Sequence, residues 1–144
     1  MIRLANYDDI PELLRMGKEF YDASGYKDVC GFNYTDVTGL LVRLIDAGTL
    51  LTNGDSCMLG FTTFNMFFDV SCLSAQELFW WVDKDKRGGR LGLELFAKTE
   101  EIAKNMGVKN MIMLSLDHLD GEKVNRIYEK LGYVSREKSY MRSL

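Results

Sequence analysis

Apolar and polar positions alternate over Ile2-Arg3-Leu4 and then switch to a helical period: Ile10, Leu13, Leu14, Met16, Phe20 and Tyr21 recur every three or four residues. This predicts a short strand and then a helix. Asp8 or Asp9 would cap the helix, Pro11 would sit in its first turn, and it would run to about Ala23. Gly25 and Gly31 mark an irregular loop, after which Thr35 or Asp36 could cap a second helix through Leu40, Leu41, Leu44 and Ile45, stopped by Gly48. From Thr49 the texture becomes short β-favouring runs: TLLT, the turn Asn53-Gly54-Asp55, CMLGFTTFNMFF, the stretch from Asp69 to Ser74, and AQELFWWVD. Asn-Gly between apolar runs is a strong hairpin signal, so an antiparallel meander is expected. A glycine-rich turn, DKDKRGGRLG, then leads into an amphipathic segment carrying Leu91, Leu95, Phe96, Ile102 and Met106, closed by Gly107. Lys109 to Leu116 is a near-continuous apolar run and reads as a buried parallel strand. A last helix is expected from about Gly121 to Leu131, ending at Gly132, with one or two closing strands in Tyr133 to Met141. The fold class is α/β (α+β): a mixed, mostly antiparallel central sheet with flanking helices, in a single domain spanning 1–144.

Size and charge narrow the possibilities. At 144 residues, with 47% hydrophobic and 27% charged residues, the chain has the ordinary balance of one globular domain. Its 18 basic and 21 acidic residues leave a formal charge of −3, so no global positive field gathers nucleic acid or an anionic membrane surface, and no nucleic-acid or membrane partner is expected. The apolar runs are far shorter than the roughly 20 residues a membrane helix needs. The N-terminus, MIRLANYDDI, lacks the apolar core of a secretory signal, which points to a cytoplasmic protein. Cys30, Cys57 and Cys72 lack metal-ligand spacing and His118 is the only histidine, so no metal site is expected.

The chemistry is concentrated in ELFWWVDKDKRGGRLGLELFAK: a strand ending at Val82 or Asp83, a basic glycine-rich turn, and a helix beginning near Gly89. A helix N-terminus exposes unpaired N–H groups and carries about half a positive charge. Glycines that allow close backbone approach make it a ready phosphate site. Lys84, Lys86, Arg87 and Arg90 add charge there, which suits a pyrophosphate; taken alone, the loop is equally an ordinary solvated turn. Its spacing fits neither a P-loop, which needs Lys-Ser/Thr after the glycines, nor the G-x-G-x-x-G dinucleotide fingerprint.

The run VDKDKRGGRLGLELF resembles the coenzyme A signature of the GNAT (GCN5-related N-acetyltransferase) superfamily, R/Q-x-x-G-x-G/A after a strand-end valine. Arg87 matches its first position, Gly92 its last and Val82 the valine, while Arg90 stands where the central glycine usually is. A second run, VNRIYEKLGYVSRE, is similar to the family's C-terminal signature through Tyr128, Lys130, Leu131, Gly132 and Tyr133. Both occur in the family's order.

The resemblance implies an acyl-coenzyme A-dependent N-acyltransferase that passes an acetyl group from acetyl-CoA directly to a primary amine, with no metal. By analogy, Trp80, Trp81 and Val82 offer main-chain groups to the pantetheine arm, and Arg87, Gly88, Gly89, Arg90, Leu91 and Gly92 cradle the pyrophosphate. Trp80 and Trp81 face opposite ways, so one can pack the core while the other borders the acceptor. Attack of an amine on a thioester needs a base and an acid. Glu77 is the base candidate, with Asp83 and His118 as weaker ones, and Tyr128 matches the family tyrosine that protonates the departing sulfur. The acceptor, a small molecule or a peptide amine, would meet the aromatic stretch from Phe20 to Tyr34. A homodimer is compatible with the pattern. The rival reading is a non-catalytic acyl-CoA-binding or interaction module of the same fold.

Overall fold

The computed structural model describes residues 1–144. Its elements run β1 (Arg3–Leu4), α1 (Ile10–Ser24), α2 (Tyr34–Ala47), β2 (Leu50–Thr52), β3 (Cys57–Met66), β4 (Asp69–Val82), α3 (Leu91–Asn105), β5 (Asn110–Ile112) and α4 (Gly121–Lys130). The strands form one open sheet in the order β1-β2-β3-β4-β5, antiparallel throughout except that β5 runs parallel to β4. This is the mixed sheet with flanking helices that the hydrophobic pattern predicts. No helix is long and apolar enough to cross a membrane.

Period-two alternation divides the core between the two faces of the sheet. Met58, Phe79 and Trp81 pack with Leu13, Met16, Leu41 and Leu44 of α1 and α2. Their strand neighbours Leu59, Phe61, Trp80 and Val82 pack with Leu95, Ala103 and other residues of α3 on the opposite face. Strict alternation fails once, and consequentially. Gly60 pairs with Phe79 and Phe61 with Glu77, so Leu78 is an unpaired bulge residue. The extra residue resets the alternation, which puts Glu77 on the same face as Trp80 rather than as Trp81.

Gly60 sits opposite that bulge because nothing larger fits. A Cβ there would lie 2.6 Å from Cζ of Phe79 and 3.0 Å from Cδ1 of Leu44. Gly60→Ala is therefore expected to destabilise the fold by about 2 kcal/mol through overpacking, read as a lower midpoint in chemical denaturation with an unchanged slope.

Local signals place most element ends. Asn53 turns the β2–β3 hairpin by accepting the N–H groups of Asp55, Ser56 and Cys57. α1 ends at Gly25 with φ 83°. The cap of α2 falls earlier than expected: Asn33, not Thr35 or Asp36, accepts the N–H of Asp36 at 3.1 Å. Asp69 to Ser74 and the following run form one strand, β4, and the turn falls on Phe67 and Phe68, which stand 81% and 84% exposed. β2 pairs with β3 only over Met58–Gly60, so the far end of the β3–β4 hairpin projects as a two-stranded arm and its turn residues have no core to enter.

The largest departures come at the end of the chain. The strand expected from Lys109 to Leu116 is only Asn110–Ile112, and the closing strands expected in Tyr133–Met141 do not form. β5 is thus the sheet edge. Val134, Tyr140 and Met141 are 68%, 90% and 69% exposed and are separated by charged Arg136, Glu137 and Lys138, so no apolar face drives that segment onto the sheet. Tyr133 alone packs inward, against Phe96 and Tyr128.

Candidate active site

The two parallel strands separate at Glu77, the base candidate. Pairing between β4 and β5 covers Ser74–Asn110, Ala75–Met111 and Gln76–Ile112 and then stops, while β4 runs on to Val82. From Glu77 onward the β5 side of β4 has no strand partner. Side chains take the place of the missing ladder. Glu77 Oε2 accepts the N–H of Leu114 at 3.0 Å, and the Tyr128 hydroxyl donates to the Leu114 carbonyl at 2.7 Å. The N–H and the carbonyl of Leu114 are thereby satisfied by side chains and not by the β4 backbone, which holds the gap open. The Tyr128 hydroxyl also lies 3.4 Å from Glu77 Oε2.

Both side chains are buried, Glu77 to 5% and Tyr128 to 8% exposure. Loss of water pushes the Glu77 carboxyl up to about 7, partly opposed by the bonds from Leu114 and Tyr128. Burial, followed by the charge on Glu77, raises the Tyr128 phenol well above its ordinary 10.0. Trp80 stacks on Tyr128 at 6.1 Å and meets Phe96 at 5.6 Å, closing an aromatic wall. A cavity of about 40 Å³ lies here, lined by Phe20, Glu77, Trp80, Leu114, Leu119 and Tyr128. The indole N–H of Trp80 is buried without a partner beside it. A larger recess of about 240 Å³, between Leu40 and Leu44 of α2 and Thr62 and Leu78 of the hairpin, contains no group that titrates near neutrality.

At the end of β4 the chain makes a turn at Lys84–Lys86, passes through Gly88 at φ 85° and enters α3 at Leu91. The first backbone bond of the helix runs from the Glu94 N–H to the Arg90 carbonyl, and Arg90, the N-cap, makes no side-chain cap. No backbone or side-chain acceptor takes the N–H groups from Arg87 to Leu93. A Cβ on Gly88 or Gly89 would meet nothing within 4 Å, so there is open space beside the two glycines of this row. A Cβ on Gly92 would lie 3.5 Å from the side chains of Trp80 and Val82, so the first turn of α3 runs close over the strand. A row of free amides at a helix N-terminus suits a pyrophosphate.

The cations are distributed differently from the expectation of one cluster. Arg87 folds back, donating from Nε to the Val82 carbonyl at 2.8 Å with its guanidinium 4.5 Å above the Trp81 ring. The Arg90 side chain is 90% exposed and only loosely paired with Glu94 at 3.9 Å. The two tryptophans do face opposite ways: Trp80 lines the cavity, and Trp81 packs in the α1–α2 core against Phe20. Asp83 is committed elsewhere, accepting from the Trp81 indole at 2.9 Å and from Arg15 at 2.8 and 3.3 Å. The His118 ring packs against Gly25, beside α1. Tyr21, Phe32 and Tyr34 form an aromatic cluster with ring centroids 5.3 and 4.9 Å apart, under the Lys18 ammonium. No group of side chains is arranged to hold a metal ion.

Sequence reasoning missed the role of Leu114, because a backbone peptide leaves no residue-type signal. It also missed Arg15, whose only mark is its place on the polar side of α1 between Glu12 and Glu19.

An open mixed sheet, a splayed parallel pair and a free-amide loop define an acyltransferase-like architecture, and the sequence agrees. The chain belongs to the acetyltransferase (GNAT) family, whose sequence model matches residues 16–133. No curated protein matches it. Among solved structures it is similar to a transcriptional regulator from Bacillus halodurans, with a TM-score of 0.78, 16% identity, and coverage of 100% of this chain and 99% of that one. It is likewise similar to an acetyltransferase from Trypanosoma brucei, with a TM-score of 0.74, 18% identity, and coverage of 100% and 99%. A ribosomal-protein-alanine N-acetyltransferase from Brucella melitensis gives a TM-score of 0.73 at 15% identity, covering 100% and 98%. At these identities the likeness is one of fold.

Proposed function

We propose that this protein transfers the acetyl group of acetyl-CoA directly to the primary amine of an acceptor. The observation that carries the reading is the unpaired row of N–H groups from Arg87 to Leu93, which follows the stretch of β4 from Glu77 to Val82 that has no parallel neighbour. That row would bind the pyrophosphate. The edge of Trp80, Trp81 and Val82, which has no strand partner on the β5 side, would hydrogen-bond the pantetheine arm, which directs the thioester toward the cavity between Glu77 and Tyr128.

There Glu77 takes a proton from the incoming ammonium, directly or through one water. The freed amine lone pair forms the new N–C bond, the C–S bond breaks with its electron pair on sulfur, and the Tyr128 hydroxyl delivers a proton to the thiolate. The second proton, shed by the acylated nitrogen, returns through solvent to Tyr128, leaving the amide, the thiol and a protonated Glu77. A carboxyl held near 7 is matched to this work, since it is substantially ionised at neutral pH yet basic enough to accept a proton. A small-molecule or peptide amine acceptor would approach past Phe20 and the Tyr21–Phe32–Tyr34 cluster.

Calorimetric titration with acetyl-CoA tests the cofactor half of the reading. Binding in the micromolar range is expected for the wild type, weakened about tenfold or more in Gly89→Pro, which removes one N–H of the row and stiffens the loop. Undiminished binding in that variant would place the pyrophosphate elsewhere, and no binding to the wild type would sink the transferase reading.

A further inference from the structure

The Asp83 carboxylate, at the junction of β4 and the phosphate loop, is held from α1 by a single side chain. Arg15 reaches it with two guanidinium nitrogens, at 2.8 and 3.3 Å, and the same guanidinium donates at 2.8 Å to the backbone carbonyl of Asp55 in the β2–β3 turn. Its remaining donors go to Glu12 at 2.8 Å and Glu19 at 3.2 Å on its own helix. Every edge of the planar fork is used, and these four partners come from three separate segments of the chain. The second oxygen contact of Asp83 goes to the Trp81 indole, and the Trp81 ring is the surface on which the Arg87 guanidinium rests while Arg87 holds the Val82 carbonyl. A continuous path of contacts therefore runs from α1 through Asp83 and Trp81 to the residue that opens the free-amide row.

We propose that Arg15 is a positioning residue for the phosphate loop: it fixes where β4 ends, and so where the amides of Arg87 to Leu93 point, without itself touching the donor. The inference rests on the acetyl-CoA reading above. Its physical basis is that a bidentate guanidinium–carboxylate pair fixes angle as well as distance. A loop whose amides must converge on one pyrophosphate is sensitive to displacements on the order of 1 Å. Asp83 is mostly shielded, with its side chain 16% exposed, so the pair is less screened than a surface ion pair.

The test compares two donors, acetyl-CoA and acetyl-pantetheine, which lacks the pyrophosphate and nucleotide. In Arg15→Ala the KM for acetyl-CoA is expected to rise about tenfold with kcat within about twofold, while the KM for acetyl-pantetheine stays unchanged. Arg15→Lys, which keeps the charge but loses the fork, should fall between wild type and Arg15→Ala and decides the matter if Arg15→Ala does not fold. Adding Arg15→Ala to Asp83→Asn should cost little more than either change alone, because both break the same link. An unchanged KM for acetyl-CoA would overturn the proposal. So would an equal loss with both donors, which would make Arg15 a general brace. If the wild type binds no acetyl-CoA at all, the transferase reading fails first and the inference falls with it.

Discussion

Glu77→Gln is expected to lower turnover by about 10²-fold or more while leaving acetyl-CoA affinity within a few-fold, because the change removes a proton acceptor and little volume. In the wild type, kcat/KM should rise about tenfold per pH unit and level off through a pKa near 7, the value to which burial pushes this carboxyl. In Glu77→Gln that limb should vanish and leave a flat, low profile. A variant that kept most of its turnover, or a wild-type limb unmoved by the substitution, would remove Glu77 from the base role.

The same carboxyl makes a prediction about stability with the opposite sign. Its folded value is about 7 against an ordinary 4.5, so between those values the folded chain binds more protons than the unfolded one. The contribution to stability is fully present below about pH 4.5 and is lost as pH rises through about 7. Ionising the buried group thus costs on the order of 3 kcal/mol at pH 8 relative to a carboxyl free of such burial. Glutamine can still accept the Leu114 N–H without carrying charge. Glu77→Gln should therefore melt higher than wild type at pH 8 and much nearer to it at pH 5. Lower activity and higher stability from one substitution is the pattern of a group held in a costly state for function.

The element order and the two signature segments were legible because they rest on local rules. Periodicity marked α1 and α2, Asn53-Gly54 marked the hairpin, and glycines marked the ends of α1, α2 and α3. Tyr128 and Glu77 were nameable as candidates from the resemblance, and the structure brings them within 3.4 Å across 51 residues of sequence. What was not legible depends on contacts distant in the chain. The bulge at Leu78 sets which face Glu77 occupies, yet it arises from the Gly60–Phe79 fit. The early end of β5 arises because Glu77 and Tyr128 capture Leu114, and residue type gives no hint of that capture. The closing strands expected in Tyr133 to Met141 do not form, because Arg136, Glu137 and Lys138 between the apolar residues leave no continuous face to bury. Asp83, a weaker base candidate in sequence, is instead held by Arg15 and Trp81.

Tyr128→Phe is the sharpest remaining discriminator, since it removes one oxygen from a ring that otherwise keeps its packing against Trp80, Phe96 and Tyr133. Turnover should fall about 10²-fold through loss of the proton donor to sulfur, with a further destabilisation of about 1–2 kcal/mol from the Leu114 carbonyl left without its 2.7 Å bond. The pH profile separates the two roles. Because the Tyr128 phenol is raised above its ordinary 10.0, it stays protonated across the working range, so the wild-type profile should be a plateau above pH 8 with no alkaline fall. The variant should lower that plateau. It should also shift the acid limb upward, because the hydroxyl bond that Tyr128 gives Glu77 favours the ionised carboxylate and is gone. A shifted limb with an unlowered plateau would mean that Tyr128 tunes Glu77 and holds Leu114 but delivers no proton, and a water in the gap between β4 and β5 would then have to be the acid.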